Sequence, residues 1–108
     1  MKKNILFICS RNKWRSPTAQ KIYQKDERVT VRSGGTSPKA IHTVNEKDIR
    51  WAEIIFVMEY KHKERLKANF NRALKYKKMI VLDIPDEYLY MDKALIEILK
   101  SSVEGYLD

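Results

Sequence analysis

The sequence predicts an α/β fold, a four-stranded parallel sheet flanked by helices. Four short apolar runs lie along the chain, and segments with helical spacing or helix-start signals separate them. Strands that alternate with helices favour a parallel sheet with helices on both faces. A chain of 108 residues encloses one modest core, so we predict a single domain spanning residues 1–108. Ligands bind such sheets beyond the carboxyl ends of the strands, where the site is expected.

The first strand is predicted at Ile5–Cys9, a continuous apolar run that is typical of a strand buried on both faces. Polar residues follow at once. Ser16 as the N-cap and Pro17 as the first helical residue then predict a helix that runs through Tyr23. The sequence therefore begins with a strand, a polar loop and a helix.

The second strand is expected at Val29–Ser33 and is predicted to stop in a tight turn at Gly34-Gly35, whose backbone is unusually free. The capping-box spacing of Thr43–Glu46 predicts a brief helix through Ile49–Arg50. These two elements complete the first half of the chain.

The third strand is predicted at Ile54–Met58 and the fourth at Met79–Leu82. Between them, a basic helix is predicted over Lys61–Lys78, because apolar residues recur every four positions, at Leu66, Phe70 and Leu74. A turn at residues 83–86 leads to a last helix from about Asp92. Its apolar stripe consists of Leu95, Ile96, Leu99, Val103 and Tyr106.

Cysteine and histidine usage limits the kind of site. Cys9 is the only cysteine, which excludes an intramolecular disulfide and a zinc site built on several thiolates. His42 and His62 are isolated in the sequence, so we predict no metal site and no cofactor. A reducing, cytoplasmic location fits best, because the apolar run at Ile5–Cys9 is too short for a signal peptide or a membrane span.

The net charge of +8 is unevenly placed, at +13 over residues 1–82 and −5 over residues 83–108. A basic body attracts nucleic acid, acidic membranes or anionic substrates such as phosphate esters. Charge alone does not choose among these, and a solvated basic surface is an equally good interpretation.

The segment that carries chemistry joins the first strand to the first helix. Cys9 and Arg15 are separated by five residues and are followed by Ser16. Such a loop can wrap a tetrahedral oxyanion, because its N–H groups and the helix N-terminus point inward. The same positive field favours the nucleophilic thiolate of Cys9. Arg15 would hold two phosphate oxygens in a planar fork, and the Ser16 hydroxyl is placed to hydrogen-bond the sulfur.

These residues resemble the phosphate loop of the low-molecular-weight protein tyrosine phosphatases, in which Cys is the nucleophile and Arg-Ser-Pro opens the helix. The matching residues are Cys9, Asn12, Arg15, Ser16 and Pro17. The resemblance implies a Rossmann-like three-layer fold and a phosphate-binding loop that includes Ser10, Arg11, Asn12, Lys13, Trp14 and Ser16. It also implies that Ser33 supports this loop, and Met58 at the end of the third strand fits the pattern.

The general acid is also assigned by resemblance. The family has an aspartate after its fourth strand, in an Asp-Pro setting followed by aromatic residues, and Asp86 falls in that place. Asp83 is held in reserve. Tyr88, with Tyr90 and Trp14, would flank an aryl phosphate.

Three motif positions depart from the family. Arg11 replaces a glycine and would be strained if it had a positive φ, Trp14 replaces a second cysteine, and Glu87 replaces the proline after the acid. Without the second cysteine, Cys9 is exposed to irreversible oxidation. A contracted segment between residues 36 and 48 shortens the chain relative to typical members.

The leading hypothesis is a phosphomonoester hydrolase of the protein tyrosine phosphatase type, acting through a phosphocysteine on a phosphotyrosine protein or a small aryl phosphate. A non-catalytic phosphate- or phosphoprotein-binding module and a basic nucleic-acid-associated protein remain as alternatives. Arsenate reductase, a relative in fold, needs further cysteines that this chain lacks. We expect no membrane partner, and the oligomeric state stays open.

Overall fold

The computed structural model describes residues 2–107. Its strands and helices alternate as the sequence predicts, and each strand ends within two residues of its predicted bounds. Their order is β1 (Lys3–Cys9), α1 (Arg15–Tyr23), β2 (Val29–Gly35), α2 (Glu46–Trp51), β3 (Ile54–Val57), α3 (Tyr60–Phe70), β4 (Lys78–Val81) and α4 (Lys93–Val103), with a final 3₁₀ turn at Glu104–Tyr106.

The four strands form one parallel sheet in the order β2-β1-β3-β4, which confirms the predicted fold class. The chain leaves β1 towards β2 and later returns to add β3 on the other side of β1. The strand order therefore reverses between β1 and β3. In parallel sheets, a crevice forms at such a point beyond the carboxyl ends of the strands, and here the Cys9 end of β1 faces it.

The two faces of β1 are both buried, as its uninterrupted apolar sequence requires. Phe7 packs on one face against Phe56, with ring centroids 5.4 Å apart, in a core shared with α1 and α4. Leu6 and Ile8 point to the opposite face, in a core shared with α2 and α3. Alternation along the strand thus produces three layers, with helices on both sides of the sheet.

The helix starts differ from the prediction at two places. α1 begins at Arg15 with Trp14 as its N-cap, so Ser16 lies inside the first turn and is not the cap. The capping box of α2 is formed by Asn45 and Asp48 and not by the predicted pair at residues 43 and 46. The last helix, predicted from about Asp92, begins at Lys93 with Asp92 as its N-cap, whose side chain accepts from the N–H of Ala94 at 2.8 Å.

The basic helix predicted over Lys61–Lys78 is too long, because α3 ends at Phe70. Residues 71–76 form turns, and the chain then enters β4 at Lys78. Leu74 keeps its predicted burial in this turn region, so the four-residue spacing alone could not reveal the end of the helix. Pairing of β4 with β3 requires extended backbone there and overrides helical propensity.

The tight turn predicted at Gly34-Gly35 is wrong, because β2 continues through both glycines and neither has a positive φ. Gly35 is required for close approach. A Cβ atom there would lie 2.5 Å from the carbonyl oxygen of Ser10 and 2.7 Å from the Cβ of Ala40. β2 therefore supports the loop after β1 by direct backbone contact. Within residues 2–107, no helix is long and apolar enough to cross a membrane.

Candidate active site

A cavity of about 170 Å³ opens at the carboxyl end of β1. Most of its wall comes from the segment that joins β1 to α1, and one residue comes from the segment after β4. The lining residues are Cys9, Ser10, Arg11, Lys13, Trp14, Arg15 and Asp86. The structure thus brings together, in one cavity, three groups that the sequence assigned to chemistry: a thiol, a guanidinium and a carboxylate.

The backbone of the loop is oriented by segment 36–41. The carbonyl groups of residues 9–11 accept hydrogen bonds of 2.9–3.0 Å from N–H groups of that segment. The described chain has no cis peptide bond, and a trans peptide places its C=O and N–H on opposite sides. The N–H groups of residues 10–12 therefore point away from segment 36–41, as an anion-binding loop requires.

Asn12 holds the loop in shape. It is buried and has a φ of 55°, a left-handed conformation that asparagine tolerates better than most residues. Its Nδ2 donates to Ser16 Oγ and to Ser33 Oγ, both at 2.9 Å, and the Ser33 hydroxyl donates onward to Gln20 Oε1. The strain considered for Arg11 does not arise, because Arg11 has no positive φ.

The thiol of Cys9 is buried next to a hydroxyl group, with Sγ 3.0 Å from Oγ of Ser16. Ser16 Oγ already accepts from Asn12, so its single hydrogen is left for the sulfur or for the carbonyl of Gly34 at 3.3 Å. The 3.0 Å contact is short for sulfur. Ser16 is thus placed to donate to a thiolate, as the sequence predicted.

Arg15 is buried at the base of the cavity and anchored on two sides. Its NH1 donates to Glu59 Oε2 at 2.5 Å and to the carbonyl of Ile84 at 2.8 Å, while Nε lies 3.7 Å from Oδ1 of Asp86. Partial burial would raise the pKa of Glu59, but its hydrogen bond and ion pair with Arg15 outweigh burial and hold the pKa below the ordinary value. Glu59 is therefore an anionic anchor for the guanidinium.

His62 lies directly beneath the loop, almost fully buried. Its Nδ1 accepts from the N–H of Glu59 at 3.0 Å, so the neutral ring carries its proton on Nε2. Nε2 lies 2.8 Å from Oγ of Ser10 and donates to it. Burial, followed by the positive charge of Arg15, lowers the pKa of His62 to about 4. The imidazole is therefore neutral at neutral pH.

The two candidate acids occupy different positions. Asp86 lines the cavity and its side chain is 53% exposed. Asp83 is exposed, has a φ of 57° and is not among the lining residues. The geometry favours Asp86.

The predicted aromatic residues are not all at the cavity. Trp14 lines it, with the ammonium of Lys13 4.8 Å from the centre of its ring. Tyr90 is exposed and shares a shallow outer surface with Trp14. Tyr88 is partly buried against the core between the sheet and α4, away from the cavity wall.

Three residues that support the site were not predicted from the sequence: Glu59, His62 and Gln20. Glu59 caps α3, and His62 completes the capping box. Glu59 could have been found from the sequence, because a carboxylate just beyond the carboxyl end of a predicted strand lies where such sheets bind ligands. His62 offered no such signal, because its partner Ser10 is 52 residues away. His42 pairs with Asp48 at 2.8 Å. Over residues 2–107, no three His, Cys, Asp or Glu side chains are grouped so as to hold a metal.

Neither models of protein families nor curated protein sequences gave a match. Solved structures did. Wzb from Vibrio vulnificus, in complex with benzylphosphonate, superposes with a TM-score of 0.78 at 20% identity, covering 99% of this chain and 98% of the other. The low-molecular-weight protein tyrosine phosphatase SP-PTP from Streptococcus pyogenes has a TM-score of 0.78 at 16% identity, covering 97% and 91%. The YwlE arginine phosphatase from Geobacillus stearothermophilus superposes with a TM-score of 0.75 at 20% identity, covering 97% of this chain and 90% of the other.

These likenesses extend over almost the whole chain. The fold is that of low-molecular-weight protein tyrosine phosphatases, as the sequence resemblance implied. The Rossmann-like arrangement of three layers is common to them.

Proposed function

We propose that this chain is a cysteine-dependent phosphatase that hydrolyses aryl phosphate monoesters of the phosphotyrosine type through a phosphocysteine. The observation that carries the proposal is the single cavity lined by Cys9, Arg15 and Asp86. A nucleophile, an anion clamp and a proton donor on one small cavity are the groups that this chemistry needs. We also propose that the 108 residues act as one domain.

In the first half-reaction, the N–H groups of the loop and the guanidinium of Arg15 bind the phosphate oxygens. The Cys9 thiolate attacks phosphorus, the S–P bond forms, and the bond from phosphorus to the leaving oxygen breaks. Asp86, as the carboxylic acid, gives its proton to that oxygen. The buried Arg15 stabilises the charge that develops on the transferred group.

In the second half-reaction, water attacks the phosphocysteine and the S–P bond breaks. The Asp86 carboxylate takes the proton of the water, and inorganic phosphate leaves. The thiolate of Cys9 is the leaving group here, and the hydroxyl of Ser16, 3.0 Å from the sulfur, stabilises it. Asp86 thus begins the next cycle protonated, and the atoms and protons balance.

The lining of the cavity supports an aryl ester over a phosphorylated guanidinium group. Arg11, Lys13 and Arg15 all contribute to the wall, and such cations repel a guanidinium. Trp14 offers an aromatic surface at the rim for the leaving group. The neighbours are described as tyrosine and arginine phosphatases, and this lining supports the choice of the tyrosine type for our proposal.

A reducing compartment such as the cytoplasm is proposed as the place of action. The nucleophile must remain a thiol, and Cys9 has no second cysteine in the chain with which to form a protective disulfide.

Hydrolysis of para-nitrophenyl phosphate between pH 5 and pH 8 tests the proposal, because the thiolate and the protonated acid coexist in such a range. The wild type is compared with Cys9→Ser, which is isosteric and removes only the sulfur nucleophile. We expect turnover by the wild type and none above background by the variant. Far-ultraviolet circular dichroism of both proteins shows that the fold is intact.

Turnover retained by Cys9→Ser would exclude the phosphocysteine mechanism. A folded wild type that binds phosphate or vanadate without turnover would instead be a phosphate-binding module. Nucleic-acid binding that falls steeply with salt, with neither phosphate binding nor turnover, would favour the third function.

A further inference from the structure

A second depression lies beside the catalytic cavity and is continuous with it. This groove, of about 410 Å³, shares Ser10 and Arg11 with the cavity. Its other walls are segment 36–38 and the first turns of α3, with Lys61 and Arg65. A molecule held in the cavity by its phosphate therefore has the groove directly within reach.

The groove is strongly cationic. Arg11, Lys61 and Arg65 are all exposed along it. Among residues 2–107, no carboxylate lies within 4.0 Å of Arg11 or Arg65. Lys61 lies 3.8 Å from Glu59, whose carboxylate is already bound to Arg15. Arg11 and Arg65 thus have no carboxylate partner among residues 2–107, and Lys61 shares its partner with Arg15.

The placement of these cations goes against helix stability. Lys61 and Arg65 are four residues apart on α3, so they lie on one face, where like charges destabilise a helix. An anion in the groove would offset this repulsion. Hydroxyl groups lie beside the cations, and that of Ser37 accepts from the N–H of Lys39 at 3.0 Å, which leaves its hydrogen free to donate into the groove.

The transferred phosphate does not account for these groups. The loop N–H groups and Arg15 form its site, and Arg15 is anchored from behind by Glu59 and Ile84. Arg11 lies on the loop and lines both the cavity and the groove, whereas Lys61 and Arg65 lie on α3 and line only the groove. They are therefore suited to a different anionic group of the same substrate.

We infer that the groove lined by Arg11, Lys61 and Arg65 is a second anion subsite, which selects phosphotyrosyl segments that carry an acidic side chain next to the phosphotyrosine. The inference rests on the proposed function for the identity of the first group bound. Because the groove adjoins the cavity, the acidic residue lies within one or two positions of the phosphotyrosine.

The test measures binding to the Cys9→Ser protein by fluorescence anisotropy, so that its outcome does not depend on turnover. The probes are labelled phosphotyrosyl peptides with glutamate, glutamine or phosphoserine placed in turn at the two positions on each side. Glutamine is matched to glutamate in size and lacks its charge. The double variant Lys61→Gln/Arg65→Gln is compared with Lys47→Gln/Arg72→Gln, which removes the same charge from exposed residues outside the groove.

At the best position we expect the glutamate peptide to bind about tenfold more tightly than the glutamine peptide, and the phosphoserine peptide more tightly still. The preference for glutamate over glutamine should fall to within about twofold for Lys61→Gln/Arg65→Gln and persist in the control Lys47→Gln/Arg72→Gln. It should also become smaller in high salt. A ratio of affinities on one protein cancels any general weakening of binding.

Equal binding of glutamate and glutamine peptides at every position overturns the inference, as does a preference that both double variants lose alike. Nucleic-acid binding that Lys61→Gln/Arg65→Gln alone abolishes, without a peptide preference, overturns it in favour of a nucleic-acid surface. Turnover of para-nitrophenyl phosphate by the wild type is measured in parallel. Its absence rejects the proposed function and leaves the anion preference as a separate result.

Discussion

Nε2 of His62 lies 2.8 Å from Oγ of Ser10, so a buried imidazole on α3 supports the first residue of the phosphate loop. The same ring accepts the N–H of Glu59 through Nδ1. One neutral side chain therefore satisfies both the start of α3 and the loop after β1. Protonation would remove the acceptor at Nδ1, which makes this link sensitive to acid.

The first prediction is a loss of stability on acidification that depends on His62. Burial and the charge of Arg15 lower its pKa from 6.5 to about 4. Between pH 6.5 and about pH 4, His62 is therefore protonated in the unfolded chain but not in the folded protein. The free energy of unfolding falls as the pH falls through this range. From pH 7 to pH 5 the contribution is roughly 2 kcal/mol. Urea unfolding at both pH values measures it.

The variants His62→Gln and His62→Asn separate titration from contact. Glutamine reaches Ser10, and asparagine places its oxygen near the position of Nδ1, but neither titrates. Both should show a smaller difference between pH 7 and pH 5 than the wild type, since every other titrating group is common to the three proteins. An equal difference in all three would rule out His62 as the origin.

The parts of the molecule that sequence predicts well are those set by local pattern. The apolar runs reveal the four strands, and the Cys9 to Arg15 spacing reveals the loop. What failed depends on partners distant in sequence. Gly35 is a glycine because Ser10 passes 2.5 Å from where its Cβ would be, and α3 ends early because β4 must pair with β3. Neither constraint is visible in the neighbouring residues.

The second prediction concerns that close contact. Gly35→Ala should displace the loop, since the added Cβ meets backbone atoms that cannot rotate away. We expect a loss of about 1–3 kcal/mol of unfolding free energy. The value of kcat/KM for para-nitrophenyl phosphate should fall by about 100-fold or more, because the loop N–H groups are misplaced.

Gly34→Ala is the matched control. A Cβ at Gly34 would meet its nearest neighbour, the Cβ of Val44, at 3.4 Å, which is ordinary contact. It should retain phosphate binding and most of the activity. If Gly34→Ala and Gly35→Ala lower the unfolding free energy and kcat/KM equally, direct support of the loop by Gly35 is refuted.

The third prediction is that Glu59 fixes the Arg15 guanidinium. Glu59→Gln should cost ~2 kcal/mol of stability, below the range for fully buried pairs because the Glu59 side chain is 27% exposed. Inorganic phosphate should inhibit the Glu59→Gln variant more weakly than the wild type. Glu59→Asp retains the charge and should recover part of the phosphate affinity, whereas a purely steric role predicts that it does no better than Glu59→Gln.

The Glu59–Arg15 pair should also lose stability as the pH falls, as His62 does, but for a different reason. Burial disfavours the charged form of His62, whereas pairing with Arg15 favours the charged form of Glu59. The pKa of Glu59 is held below its ordinary value in the folded protein, so its contribution is present above the unfolded pKa and is lost as the pH falls through the folded one. Glu59→Gln should therefore flatten the stability curve below about pH 4.5. A curve that stays parallel to that of the wild type there would argue against the pairing.

The last prediction separates the two candidate acids by leaving group. Para-nitrophenolate leaves without a proton more readily than phenolate, so loss of the acid harms phenyl phosphate hydrolysis more. Asp86→Asn should reduce kcat/KM, which reports the steps up to formation of the phosphocysteine, by about 100-fold for phenyl phosphate and much less for para-nitrophenyl phosphate. Asp83→Asn is the control, because asparagine also tolerates the φ of 57° at that position. A larger loss of kcat/KM in Asp83→Asn than in Asp86→Asn would transfer the role of acid to Asp83. An equal loss of kcat/KM on both esters would show that Asp86 is not the acid and acts on the first half-reaction only through its 3.7 Å ion pair with Arg15.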